Sequence, residues 1–117
     1  MTLSFTIHGA PVPLARPRIA NGHACMPERS RLYEKLVSEV ARAAVIAAGW
    51  HHWDKYTLTL RVYRQAFRGD LDNFVKAVMD GLTKAGVWQD DRFVTSLHAT
   101  MDVDRENPRV EIEVEAE

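Results

Sequence analysis

Cysteine is almost absent: Cys25 is the single one in 117 residues, so no intrachain disulfide can form and the fold must rest on its apolar core. Long apolar runs are missing too. No stretch approaches the roughly 20 consecutive apolar residues that cross a bilayer. The segment after Met1 lacks a signal-peptide pattern, because Thr2 to His8 alternates and Pro11 and Pro13 follow at once. These absences point to a cytoplasmic protein with no membrane contact. Repeats, low-complexity tracts and heptads are lacking as well, which removes solenoids and coiled coils. Nor is there an excess of one charge: 15 basic residues stand against 16 acidic ones, net −1, which counts against gripping DNA by charge alone.

What is present describes a globular chain, with 46% hydrophobic and 26% charged residues. The length predicts one domain over 1–117. The charge is divided along it: residues 1–68 carry 10 Lys/Arg and 4 Asp/Glu, whereas residues 69–117 carry 5 and 12. The first part is suited to meeting phosphates and the second to holding a metal.

Leu3, Phe5 and Ile7 alternate with Ser4, Thr6 and His8, the period of a strand with one buried face. The stretch from Ala10 to Arg29 holds Pro11, Pro13, Pro17 and Pro27 with Asn21 and Gly22, and reads as a long exposed loop. Ser30 is placed to cap a helix whose core-facing stripe is Leu32, Leu36, Val40, Ala43, Ala44 and Ala47, ending at Gly49. Alternation of Tyr56, Leu58, Leu60 and Val62 with polar residues predicts a second strand, running to about Phe67. Leu71, Phe74, Val75, Val78 and Leu82 predict a second helix stopped by Gly86. A third strand follows Asp91, and a fourth has Val110, Ile112 and Val114 facing in and Glu111, Glu113 and Glu115 facing out. The order β-α-β-α-β-β predicts an α/β (α+β) two-layer sandwich, with a mixed four-stranded sheet, two helices on one face and the last two strands as a hairpin.

Chemistry concentrates at Asp70-Leu71-Asp72-Asn73, between the second strand and the second helix. Two carboxylates at a strand end can converge on one cation, and all-oxygen ligands favour magnesium or manganese. The same pair can instead serve a helix cap, with Asp72 capping and Asp70 in a solvated turn. Lys76 can act as a point cation or pair with Asp72 or Asp80 at i, i+4. Whether Asp90-Asp91 can approach Asp70 depends on the relative direction of the second and third strands, which spacing does not fix. Arg16 and Arg18, with His23, Arg29, Arg31, Arg64 and Arg68, form a candidate phosphate rim. Trp50-His51-His52-Trp53 lacks zinc-ligand spacing and reads as loop packing, and Trp88 reads as packing of the helix-to-strand turn, with base stacking as the alternative. Cys25 has no third group to make it a nucleophile.

The run from Arg68-Gly69-Asp70 through Lys76 to Gly86-Val87-Trp88-Gln89-Asp90-Asp91 resembles the core of the RusA family of Holliday-junction resolvases. Pro13 to Arg18 is similar to that family's Pro-x-x-x-Arg-Pro-Arg loop. The resemblance implies that Asp70, Asp72 and Asp91 bind metal with Asp90 as a neighbour, and that Lys76 assists catalysis. It sets Arg16, Arg18, Arg68 and Asn73 against DNA. It further implies a Mg2+ cofactor, with Mn2+ as a substitute, and a homodimer making paired nicks in four-way DNA junctions during recombination and repair. A same-fold nuclease for other branched or flapped DNA, or a non-catalytic DNA-structure-binding module, are the alternative readings.

Overall fold

A computed structural model describes residues 1–15, 18–20 and 22–117. The elements are β1 (Thr2–His8), β2 (Arg18–Ala20), β3 (His23–Cys25), α1 (Glu28–Ala48), β4 (Tyr56–Arg64), α2 (Leu71–Lys84), a one-turn 3-10 helix (Asp91–Phe93), β5 (Val94–Val103) and β6 (Arg109–Ala116). Four strands form a mixed sheet in the order β1-β6-β4-β5, and β2 and β3 pair separately. Strand β6 is antiparallel to both β1 and β4, whereas β5 is parallel to β4. No helix among the described residues is long and apolar enough to cross a membrane.

Alternation explains the layers. The register aligns Leu3, Val114, Leu58 and Leu97 in one row across the sheet. Phe5, Ile112, Leu60 and Ala99 form the next, and Ile7, Val110, Val62 and Met101 the third. These rows meet the helices, while Glu113, Thr59 and His98 belong to the opposite, polar face. The predicted α+β sandwich is therefore the fold observed.

Four local expectations are corrected. The last two strands are not a hairpin, because β6 sits between β1 and β4 and residues 104–108 pass over the end of β4. That crossing is fixed by the Asp104 amide donating to the Arg64 carbonyl at 2.9 Å. The Asp104 carboxylate accepts from the amides of Glu106 and Asn107 at 3.2 and 3.1 Å and from Arg109 at 3.0 Å. The bond from the Asn107 amide foremost, then that from Arg109, holds this carboxyl below the usual carboxylate range. Next, the stretch from Ala10 to Arg29 is no uniform loop: it contains the β2–β3 hairpin, and Pro11 is buried.

Helix α1 also begins earlier, after Pro27, and Ser30 lies inside it, buried, accepting from the Ala15 amide at 3.4 Å rather than capping. Finally, the buried stripe of α1 is Ser30, Tyr33, Val37 and Ala41, one position round from the predicted one, which leaves Leu32 and Leu36 exposed. Helix α2 selects that face. A Cβ on Gly81 would lie 2.6 Å from Val37 Cγ1 and 3.2 Å from the Glu34 carbonyl, so Gly81 lets the two helices approach with Val37 between them.

The end of α2 is stopped as predicted: Gly86 takes a φ of +79°, and the Val87 amide returns to the Leu82 carbonyl. The aromatic cluster near it is structural. Trp88 Nε1 donates to Thr83 Oγ1 at 2.7 Å and Trp50 Nε1 to the Val87 carbonyl at 2.9 Å. His52 Nε2 lies 2.9 Å from the Gly86 carbonyl oxygen.

Gly81→Ala tests the helix contact. Helix propensity alone favours alanine by about 1 kcal/mol, but the overlap with Val37 should reverse the sign. We expect a net loss of about 1–3 kcal/mol in urea unfolding; a stabilised variant would disprove the contact.

Candidate active site

Helix α2 presents its positive end to the loop leaving β4. Asp70 occupies the cap position in extended backbone, and its carbonyl accepts from the Asn73 and Phe74 amides at 3.1 and 3.2 Å. Its side chain makes no capping bond. Asp72, in the first turn, uses one carboxylate oxygen on the Asn73 amide at 3.0 Å. Both carboxylates are exposed and lie where the helix dipole favours anions by about 0.3–1 kcal/mol. The cap explanation therefore leaves the Asp70 carboxylate unaccounted for. Lys76, one turn along, is exposed, and among the described residues it makes no ion pair with Asp72 or Asp80.

A groove of about 490 Å³ runs between α2 and β5. Its floor is Leu71, Val75, Met79, Leu97 and Ala99, and its polar lining is Asp72, Lys76, Asp80 and Asp91. Leu97 belongs to a core row yet remains 46% exposed, because α2 covers β5 only in part. Asp72 and Asp91 are at different ends of α2. Since β5 runs parallel to β4, the chain must travel back along the whole 14-residue helix before Asp91, roughly 21 Å at about 1.5 Å per residue. Accordingly, no group of three His, Cys, Asp or Glu side chains among the described residues is placed to hold a metal. Asp90 serves locally: it caps the 3-10 helix, accepting from the Arg92 amide at 3.0 Å, and that bond foremost holds its carboxyl below the usual range.

On the other side of Asp70 lies a second groove, about 350 Å³, lined by Arg29, Arg64, Arg68, Pro11, Pro13 and Gly69 among others. Arg64 organises it. Its Nη1 donates to the Gly69 carbonyl at 2.9 Å, and its Nε is buried without a partner among the described residues. A Cβ on Gly69 would lie 2.8 Å from the Phe74 ring and 3.2 Å from Pro13, so the backbone just before Asp70 is packed from below. The proline-rich segment is tied to the same corner by the Leu14 amide, which donates to the Asn73 carbonyl at 3.0 Å.

Of the residues singled out from sequence, Asp70, Asp72, Asn73, Lys76 and Arg68 gather around the start of α2, whereas Asp90 and Asp91 lie beyond its end. Arg16 lies outside the described residues, as does the side chain of Arg18. Sequence reasoning weighs Arg64 as a phosphate contact but misses its work as loop anchor. A signal existed: position 64 shares the parity of the buried Leu58, Leu60 and Val62, where an arginine is out of place unless it is engaged.

The family model described as Endodeoxyribonuclease RusA matches residues 8–115. A comparison with curated proteins finds no match.

Arg64→Ala should free the loop before Asp70 while leaving the core intact. A lost hydrogen bond of about 0.5–1.5 kcal/mol corresponds to roughly two- to tenfold faster amide exchange. We expect that acceleration at residues 65–70 and not in β4; unchanged protection would show that Arg64 does not hold the loop.

Proposed function

The chain belongs to the RusA endodeoxyribonuclease family, and on that premise we propose that it is a magnesium-dependent homodimer resolving four-way DNA junctions by paired nicks, in recombination or repair. The observation that carries this reading is the Asp70 carboxylate, held at the cap position of α2 without capping, between Asp72 and an arginine-lined groove. That arrangement offers a hard cation two carboxylates beside a slot suited to a phosphodiester backbone. Asp70 and Asp72 would hold such an ion, which would supply positive charge to polarise a phosphate and to lower the pKa of an attacking water. Lys76, without an ion-pair partner among the described residues, can offset charge developing on the phosphate oxygens.

Within one chain the three aspartates expected to bind metal do not form a site. We infer that the partner's Asp91 completes it. Strand β5 is an edge of the sheet, and its ten residues contain no Lys, Arg or Pro of the kind that blunt edges. Antiparallel pairing of two such edges about a two-fold axis would bring the residues preceding β5 in one copy toward the end of β5 in the other. That end adjoins the end of β4, from which the chain leads to Asp70. This supports a dimer with two composite sites, one for each strand to be cut.

Mixed dimers provide the test. Asp70→Asn and Asp91→Asn homodimers should bind an immobile four-way junction without nicking it in magnesium. Co-expressed chains should regain nicking of one strand, because one of their two composite sites keeps every aspartate. Inactive mixed dimers would refute the shared site. Magnesium-dependent nicking at the wild-type rate by either homodimer would refute that aspartate's role. Wild-type cleavage of flaps in preference to junctions would replace the substrate.

A further inference from the structure

Phe67 is the most exposed large apolar side chain among the described residues, at 77%. Exposed single apolar residues are ordinary, but this one is mounted. It is the central residue of a tight turn in which the Arg68 amide donates to the Ala66 carbonyl at 2.8 Å. The turn stands three residues before Asp70, on a base fixed by the Arg64 bond to Gly69 and by the contact of Gly69 with Phe74. The Arg64 guanidinium lies 5.3 Å from the Phe67 ring centroid, against one face of the ring.

We propose that Phe67 is a specificity-determining residue that stacks on the exposed base at the branch point of the DNA, an inference that rests on the junction-nuclease reading above. Gln65, Ala66, Arg68 and Gly69 around it are exposed and include no second large apolar side chain, so the ring is an isolated tip rather than part of an apolar patch. Arg29, Arg64 and Arg68 line the adjoining groove, which supplies cations for a phosphate backbone alongside an aromatic surface for a base. Nucleic acid uses that pair of features together, since every base has a π-face and every link a phosphate. Inside an intact duplex both faces of each base are already stacked. A branch point leaves a terminal face open, so a ring at this position separates branched from linear DNA without reading sequence.

The experiment uses the full-length protein without magnesium, a four-way junction carrying 2-aminopurine at the branch, and a linear duplex of the same sequence. Wild-type binding should change the 2-aminopurine fluorescence. Phe67→Ala should lose that change and weaken junction binding by about 5- to 150-fold, the range for a lost base–aromatic stack, with duplex affinity unaltered. Phe67→Trp should restore both signals. An exposed ring contributes little to folding, so the thermal transition of either variant should match wild type. Equal losses on junction and duplex, or no loss on either, would overturn the role of Phe67 while leaving the nuclease reading intact. A wild-type protein with no preference for the junction would overturn both.

Discussion

The parallel pairing of β4 with β5 is the constraint on which the rest of the arrangement depends. Parallel neighbours cannot be joined by a tight turn, so the chain must leave the end of β4, return along the sheet and enter β5 at the opposite end. Helix α2 is that return. Its direction is thereby set, with its positive end beside the last residues of β4, and this puts Asp70 and Asp72 in a favourable field without any further device. The same requirement puts Asp91 beyond the other end of the helix. A single hydrogen-bonding choice in the sheet thus both creates the acidic corner and keeps Asp91 away from it.

Packing then sharpens the corner. Gly81 draws α1 onto α2 through Val37, and the core rows lock the inner face of the sheet beneath both helices. The loop between β4 and α2 sits outside that core but is not loose. Arg64 holds it from one side and the Phe74 ring supports Gly69 from below. Exposed functional groups can in this way be mounted on rigid backbone, which limits the entropy lost when a ligand binds.

Much of this was legible in the sequence because alternation and helical spacing are strong signals where one face is buried. The strands around Leu3, Leu58 and Ile112 follow directly, as does α2 with its stop at Gly86. What periodicity could not fix was partner choice. Strands β5 and β6 are consecutive and both alternate, so a hairpin satisfies their pattern as well as the observed insertion of β6 between β1 and β4 does. Helix α1 was ambiguous for a similar reason: Leu32 and Leu36 on one side and Tyr33 and Val37 on the next are both apolar, and only the approach of Gly81 decides between them. At the candidate site the motif residues were legible as types and spacing. The separation of Asp72 from Asp91 was not, because it follows from the direction of β5.

The near-zero net charge takes on a different meaning once the charges are located. Glu111, Glu113 and Glu115 belong to the outer face of β6, on the side of the sheet away from both helices. Arg109 shares that face and pairs with Glu111 at 3.1 Å, so the charge left without an ion pair among the described residues lies at Glu113 and Glu115, where it disfavours a phosphate backbone within the reach of the field. Arg29, Arg64 and Arg68 instead line one groove beside Asp70. The total of −1 therefore conceals an acidic stretch on the outer face of β6 and a basic groove beside Asp70. Only the second is near the acidic pair, so a polyanion drawn to the arginines would meet Asp70 and Asp72 rather than the glutamates of β6.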